Sequence, residues 1–595
     1  MTDRQSNPTS AGANTLVRVA GYILHYRRLF ALTLVLAVGS TLCLIAIPKV
    51  ISVVIDDIIP RQEPADLAWG VLVVILCYFG RDILNFARIR INNTLEQKVL
   101  LDLRHDVHDK LLDLPIAYYD QRPSGEIASR VIEDVQNVER AILDGTEQGL
   151  IAVLTILGVA TMLFVLHPGL ALLVMLPLPL LVYLGYRHAR VTRRNWKTVR
   201  ENAGSLNSLL VEHLQGNRLI NAFALHGRER RRFSGRACKL RDSTLQAMYR
   251  YSAYISLSNF IGSLGAVMVL GVGGYFLMTG RMTHGQLVGF FLYGAMFYEP
   301  INRLNQVNQL ISTGKASGDR VFEILDHPVA VRNAENPVAF PAGLVETEYR
   351  NVSFAYQDRS PVVNGIDLTL PSGQVTALVG HTGAGKSTLA NLLLRYYDVT
   401  GGRVLINGTD IRQIDLHQLR SHIGYVAQEP FLFEGTVCEN LLLARDDATE
   451  EQIWDVLESA CAAEFVEKLP YGLNTQIGER GVRLSQGEKQ RLTIARVLLK
   501  NPAVVVLDEA TASVDTLTES KIQTALNRLM RNRTVLVIAH RLSTVQQADQ
   551  IVVLQSGAIV EKGDHQALLE QRGLYAKMWR IQQDIIPEEN PSSSC

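Results

Sequence analysis

Residues 375–388 read Val375-Thr376-Ala377-Leu378-Val379-Gly380-His381-Thr382-Gly383-Ala384-Gly385-Lys386-Ser387-Thr388: a strand-like run, a glycine-rich turn ending in Lys-Ser, and the start of the helix-like stretch Thr388 to Arg395. Strand, loop and helix in that order are the setting that a phosphate-binding loop requires. Its glycines let backbone N–H groups turn inward on phosphate oxygens, and the helix start adds a favourable field for an anion. Lys386 is placed for β- and γ-phosphates, and the Ser387 hydroxyl for Mg²⁺, which prefers oxygen ligands and keeps several waters.

Downstream, Ala503-Val504-Val505-Val506-Leu507 is wholly apolar and ends in Asp508-Glu509, as expected of a buried parallel strand that presents acids at its C-terminal edge. Asp508 suits the Mg²⁺ shell, and Glu509 suits the water that attacks a γ-phosphate. Another strand-like run, Thr534 to Ile538, leads into Ala539-His540, so an imidazole shares that edge. Between loop and acids, Leu484-Ser485-Gln486-Gly487-Glu488 opens the helix-like run Lys489 to Leu499. Ser485 with Glu488 three residues later also fits an ordinary capping box.

Around this motif the chain extends to 595 residues, more than one domain. Hydrophobic residues make up 47%, charged residues 20%, and the formal net charge is +1, which excludes a disordered or polyanion-wrapping chain. That near-neutrality is a cancellation, because residues 1–344 carry +8 and residues 345–595 carry −7. A mean hydropathy of +0.10 is likewise the mixture of an apolar half and a polar half. Cys43, Cys77, Cys238, Cys438, Cys461 and Cys595 show neither zinc spacing nor disulfide density and read as packing residues in a reducing setting. The opening MTDRQSNPTSAGAN has no secretory or transit pattern, so membrane insertion relies on internal segments.

Such segments are present. Leu29 to Ile47 is almost uninterrupted and uncharged, close to the roughly 20 residues a helix needs to cross hydrocarbon. Further runs lie at Leu67 to Ala87, Gly149 to Leu166, Leu170 to Tyr186, Tyr251 to Met278 and Leu287 to Ile301, giving an expectation of six spans, with a tight turn at His167-Pro168-Gly169. Fifteen Lys and Arg between Arg187 and Arg250, and more between Arg88 and Lys110, place both long loops and both termini on the cytoplasmic side. Leu95 to Leu114 and Asn202 to Phe223 keep helical spacing, so the spanning helices continue below the membrane, two independent insertions being the rival. Asn302, Asn305, Gln306 and Gln309, just after Glu299, form a polar stripe that lines a pathway or is a solvated helix extension. Arg81 and Arg88 meet an anionic cargo or snorkel to headgroups.

The expected fold is an α-helical polytopic membrane domain followed by an α/β P-loop nucleotide-binding domain. Its boundaries are a polar tail at 1–14 and a membrane domain at 15–328, with helices at about 22–52, 66–112, 130–166, 169–215, 248–279 and 284–326. A linker at 329–344, centred on the two prolines of Asn333 to Pro341, precedes the nucleotide domain at 345–582 and a polar tail at 583–595.

This combination resembles the ATP-binding cassette (ABC) exporters, specifically half-transporters with six membrane helices fused ahead of one nucleotide-binding domain. Besides the phosphate loop, the acids and the 484–488 signature, the matching positions are Gln428 after Gly424-Tyr425-Val426-Ala427, the D-loop Ser513-Val514-Asp515, and the switch His540. Tyr356, in Asn351-Val352-Ser353-Phe354-Ala355-Tyr356, matches the aromatic that stacks on adenine, and Gly478-Glu479-Arg480-Gly481 matches an exporter-type segment. Pro115 to Asp120 with Gly125 to Arg130 is similar to the first intracellular loop of exporters, and Glu212, Gly216 and Ala222-Phe223 to the second.

The resemblance implies ATP held by Tyr356, Gly380, His381, Thr382, Gly383, Ala384, Gly385, Lys386, Ser387, Thr388, Ser485 and Gly487, and Mg²⁺ held by Ser387, Gln428 and Asp508. Glu509, His540 and Gln428 are the implied catalytic residues. It further implies an ATPase that exports a hydrophobic or amphipathic substrate (a lipid, peptide, drug or siderophore-like molecule) by alternating access. The setting is a multi-pass protein of the cytoplasmic (inner) membrane, of bacterial type, in contact with lipid and without a nucleic-acid partner. Because the phosphate loop of one subunit faces the signature of the other, a second half-transporter, identical or related, is required. An ATP-gated channel or a non-export conformational regulator of the same architecture is the alternative. The chain departs from the usual Leu-Ser-Gly-Gly-Gln at Gln486 and Glu488, which adds negative charge near a triphosphate and predicts slower or weaker closure.

Overall fold

The computed structural model describes residues 15–356, 360–478, 481–508, 516–539 and 545–584. The chain divides into two compact units, one formed by Met1–Leu112 with Ser124–His327 and the other by Asp113–Pro123 with Pro328–Cys595.

The first unit is helical. It runs through α1 (Thr15–His25), α2 (Arg27–Val53) and α3 (Pro64–Asp113); the short α4 (Ile116–Asp120) belongs to the second unit. Next, α5 (Ser124–Ser129) passes through one wide turn at Arg130–Asp134 into α6 (Val135–Leu166). Then follow α7 (Pro168–Met175), α8 (Leu178–Gln215), α9 (Asn217–Ala222), α10 (His226–Met268), α11 (Gly274–Met278) and α12 (His284–Asp326). The 50 residues of α3 reach about 75 Å at 1.5 Å per residue, more than twice the hydrocarbon thickness of a bilayer. The spanning helices therefore continue as rods outside the apolar layer.

Among the described residues, five helical stretches are long and apolar enough to cross a membrane: Arg27–Arg61, Pro64–Asp113, Ser124–Leu166, Pro168–Gln215 and His226–Met278. The sixth long helix, α12, carries Glu299 and Pro300 where its apolar part ends. Between α6 and α7 the chain reverses within one residue, because Pro168 starts the next helix and the His167 imidazole accepts from the Leu170 N–H at 3.2 Å.

Helices α6 and α12 pack closely. At Gly314 an added Cβ would lie 2.0 Å from the Ala141 Cβ, so the absent side chain sets the interhelical distance. Elsewhere Ile45, Leu163, Leu170, Val174, Val269, Phe290 and Phe297 form an apolar cluster. Two phenols enter this layer without leaving an orphan donor: Tyr293 donates to the Ile45 carbonyl and Tyr298 to the Val174 carbonyl, each at 2.7 Å.

The second unit holds two sheets. Strands β1 (Thr347–Phe354), β2 (Val363–Leu370), β4 (Gly401–Ile406) and β5 (Thr409–Asp410) form an antiparallel sheet in the order β2-β1-β4-β5. The other sheet takes the order β10-β9-β3-β8-β7-β6, from β3 (Val375–Val379), β6 (Ile423–Val426), β7 (Val504–Asp508), β8 (Thr534–Ile538), β9 (Gln550–Gln555) and β10 (Ala558–Gly563). Five of these strands are parallel and β10 is an antiparallel edge. All of β8 and the first four residues of β7 are buried, which is why both strands are continuously apolar: each face of a parallel sheet is covered.

The stretch read as a linker is seated on this unit. Val338 bridges to Ile414, and Phe340 is buried with its ring 4.4 Å from that of His422. Prolines keep the backbone extended there, while the backbone bonds of Val338 and the buried Phe340 ring fasten it. The described cysteines, Cys43, Cys77, Cys238, Cys438 and Cys461, are free thiols.

Candidate functional site

The turn after β3 delivers Lys386 as the first residue of α13 (Lys386–Leu393). Lys386 is buried at 6% exposure, and its ammonium donates to the carbonyls of Gly380 at 2.7 Å and His381 at 3.1 Å. The cation is thus folded across its own loop. Gly385, the N-cap, has φ +104°, where side chains are strained, and a Cβ there would meet the Val362 carbonyl at 3.1 Å. No side chain caps α13, so the first-turn N–H groups remain directed into the loop. A buried ammonium above an uncapped helix start fits a phosphate group in both charge and donor geometry.

The neighbouring strand ends complete the edge. Leu378 of β3 pairs with Ile538 of β8, Ile538 pairs with Asp508 of β7, and Leu507 pairs with Val426 of β6, two residues before Gln428. The phosphate loop, Asp508 and the approach to Gln428 therefore lie along one C-terminal sheet edge, where ligands of open parallel sheets bind. Tyr425 donates its hydroxyl to the Asp508 carboxylate at 3.4 Å. Burial, and then that carboxylate, push the Tyr425 phenol above its ordinary range, so it remains a neutral donor.

Tyr356 follows the end of β1, and its hydroxyl lies 3.3 Å from that of Thr388 in α13. Its ring meets those of Phe354 at 4.9 Å and Tyr397 at 5.3 Å, both edge to face. Tyr397 in turn donates to the Asp120 carboxylate of α4 at 2.6 Å. Sequence reading passed over both Tyr425 and Tyr397. Tyr425 sits within the quoted run before Gln428, but nothing in one sequence says that the neighbouring strand presents Asp508 to it.

Ser485 and Gly487 are placed elsewhere, at the start of the helix Gln486–Lys500, with the Ser485 hydroxyl bonded to Glu488 rather than to the phosphate loop. The catalytic candidates Glu509 and His540 lie outside the described residues, as do Glu479-Arg480 and the D-loop Ser513-Val514-Asp515.

The first unit contains a cavity of about 660 Å³ between α8, α10 and α12. From α12 it takes Tyr298, Ile301, Leu304 and Asn308, whereas Gln306 and Gln309 are exposed and lie off its lining; the side chains of Asn302 and Asn305 lie outside those described. The helical period turns the lining face away from those two members of the stripe. Arg88 neither meets this cavity nor snorkels; it pairs with Glu147, both side chains being nearly buried. Arg81 is held by Asp82 at 2.7 Å.

Residues 30–301 match the ABC transporter transmembrane region family, and residues 363–512 match the ABC transporter family. An ATP-dependent lipid A-core flippase of Syntrophus aciditrophicus is 37% identical over 541 residues, covering 90% of this chain and 89% of that protein. A fatty acid ABC transporter ATP-binding/permease protein of Mycobacterium tuberculosis is 37% identical over 530 residues, covering 88% of this chain and 83% of that protein. A solved structure of a bacterial Atm1-family ABC exporter with ATP bound superposes with a TM-score of 0.78 at 28% identity, covering 98% of this chain and 100% of that one. With those likenesses running through both units, the chain belongs to the ABC transporters and is an ATP-binding, ATPase-coupled membrane exporter that joins one membrane domain to one nucleotide-binding domain.

Proposed function

We propose that this chain, paired with a second half-transporter of identical or related sequence, exports an amphipathic molecule across the cytoplasmic membrane by alternating access. The observation that carries the reading is Lys386: a buried ammonium over an uncapped helix start, on the same sheet edge as Asp508, in a chain whose described residues include five membrane-length helices.

In this reading Tyr356 stacks on adenine, and Gly380 to Thr388 surround the phosphates, with Lys386 exchanging its carbonyl partners for phosphate oxygens. Ser387, Asp508 and Gln428 would hold Mg²⁺, which would neutralise charge on the phosphates. Glu509 polarises the attacking water and His540 reaches the γ-phosphate. Ser485 and Gly487 of each chain close on the phosphate loop of the other. ATP favours the closed pair only to the extent that it binds that state more tightly. A cavity lined by phenols, hydroxyls and amides among apolar side chains supports an amphipathic cargo, and the names of the flippase and fatty acid relatives point the same way.

The test is reconstitution of the chain in sealed vesicles. Glu509→Gln is expected to retain ATP binding and lose nearly all steady-state hydrolysis, and an amphipathic fluorescent probe is expected to accumulate against its gradient only with ATP. Unaltered hydrolysis in that variant, or purely downhill flux gated by nucleotide, would sink the proposal.

A further inference from the structure

We infer that the cargo is an anionic amphiphile whose uncharged body lies between α8, α10 and α12 and whose anionic head is received by Arg190 at the cytoplasmic end of the cavity; this rests on the export reading above.

The body follows from the lining. None of the described lining residues bears a formal charge; Tyr186, Tyr254 and Tyr298 supply ring faces, and Ser258, Asn259 and Asn308 supply hydrogen-bonding groups. An unpaired charge inserted there loses its hydration without a counter-charge, so the inserted part is neutral. A volume of about 660 Å³ suits a single-bodied molecule such as a steroid, within the range of small-ligand sites. The lining residue Tyr254 is held by His188, stacked on its ring at 4.0 Å with planes 4° apart.

The head follows from Arg190. The Arg190 guanidinium lies 4.4 Å from the ring centre of Tyr186, a cavity residue, and donates to its phenol. Among the described residues no carboxylate pairs with it. The chain has no Asp or Glu between Glu147 and Glu201, a stretch that holds Arg187, Arg190, Arg194 and Arg200 as well as Lys197, which reaches Glu201 at 3.8 Å, and none between Asp242 and Glu299. Glu299 itself is held by Arg303 at 2.7 Å. With Arg190 on a lining ring and no carboxylate paired with it among the described residues, that end of the cavity favours an anion over a cation. Orientation in the membrane accounts for basic residues on this side. It does not account for a guanidinium laid on a ring that lines the cavity.

The experiment uses the full chain in phosphatidylcholine nanodiscs with three probes that share one body: deoxycholate, its uncharged methyl ester, and the corresponding steroid amine. Probe binding is read by tryptophan fluorescence and uptake by ATP-driven flux into inverted vesicles. Deoxycholate is expected to bind about tenfold more tightly than the ester, the scale of one charge-assisted contact, and the amine not to saturate. Arg190→Gln should remove about that tenfold advantage while leaving ester binding within roughly twofold, and Arg190→Lys should restore part of it. Competition by added phosphatidylglycerol would identify a lipid headgroup as the source of the anion; its absence would identify a free amphiphile. Equal or tighter binding of the amine, or an Arg190→Gln loss shared equally by acid and ester, overturns the inference. Preferential ATP-driven uptake of the ester or the amine overturns it too while leaving the export reading intact, whereas no uptake of any probe alongside active hydrolysis defeats both.

Discussion

The Ser485 hydroxyl and the Ser485 N–H both donate to one carboxylate oxygen of Glu488, each at 2.8 Å. The Glu488 N–H closes the box on the Ser485 oxygen at 3.4 Å. The signature serine is therefore already engaged by a charged acceptor, at a position where the family pattern has a neutral glutamine. A triphosphate arriving at this helix start meets a carboxylate and must win the hydroxyl from it. Glu488→Gln is expected to lower the ATP concentration for half-maximal hydrolysis by roughly threefold to tenfold at low ionic strength, with the gain shrinking as salt screens the repulsion. Steady-state hydrolysis against ATP at two salt concentrations checks this; an unchanged midpoint at low salt would refute it.

Tyr425 and Asp508 offer a second test. The phenol touches the acid proposed for Mg²⁺ at 3.4 Å, a contact that orients the carboxylate. Tyr425→Phe keeps the ring in the strand and deletes only the donor. The concentration of Mg²⁺ needed to tighten a fluorescent ATP analogue should rise by roughly threefold to tenfold, with metal-free nucleotide binding unaffected. Equal weakening with and without metal would mean that the phenol serves the fold alone.

Local patterns in the chain disclosed what depends on local physics. The strand-loop-helix around Lys386, the apolar β7 ending in Asp508 and the tight turn at His167 all express preferences of a few adjacent residues, and the structure has each where expected. The 3.6-residue period also carried the helices past the membrane, as α3 and α10 show. What stayed illegible was rotation and partnership between distant segments. Gln306 and Gln309 belong to a polar stripe on paper, yet both lie off the cavity, which takes Asn308 from that helix, because the face presented is decided by packing against α8 and α10. Arg88 reads as a free cation until α6 supplies Glu147. Val338 and Phe340 read as linker until Ile414 and His422 are placed beside them.

Helix packing in the first unit gives a stability test with its own control. At Gly314 any side chain begins 2.0 Å from the Ala141 Cβ and 3.0 Å from the Asn137 carbonyl, so Gly314→Val must separate α12 from α6. The cost is expected at about 1–3 kcal/mol or more, seen as a fall of several degrees in the thermal midpoint. At Gly235 an added Cβ meets nothing within 4 Å on the exposed α10 surface, so Gly235→Ala should stabilise by up to about 1 kcal/mol through helix propensity. Midpoints from thermal unfolding in detergent should move in opposite directions, and a common direction would contradict the packing described.

Asp120 and Tyr397 join α4 to the aromatic group around Tyr356. Burial, and then the Asp120 carboxylate, push the Tyr397 phenol above its ordinary range, so its proton stays available to the 2.6 Å bond at any working pH. The same ring stands edge to face with Tyr356, planes 86° apart. The face of Tyr356 proposed to meet adenine and the position of α4 thus depend on one intervening side chain. Tyr397→Phe keeps the ring and removes the bond, so ATP binding should stay within about twofold while stimulation of hydrolysis by cargo falls several-fold, as expected when a strong hydrogen bond to a carboxylate is lost. Tyr397→Ala should weaken ATP binding as well, since Tyr356 then loses its edge contact. The decisive measurement is a double-mutant cycle of Tyr397→Phe with Asp120→Ala on the ratio of stimulated to basal hydrolysis. A coupling energy of about 1 kcal/mol is expected for groups in direct contact, and additivity of the two single effects would show that the bond carries no signal.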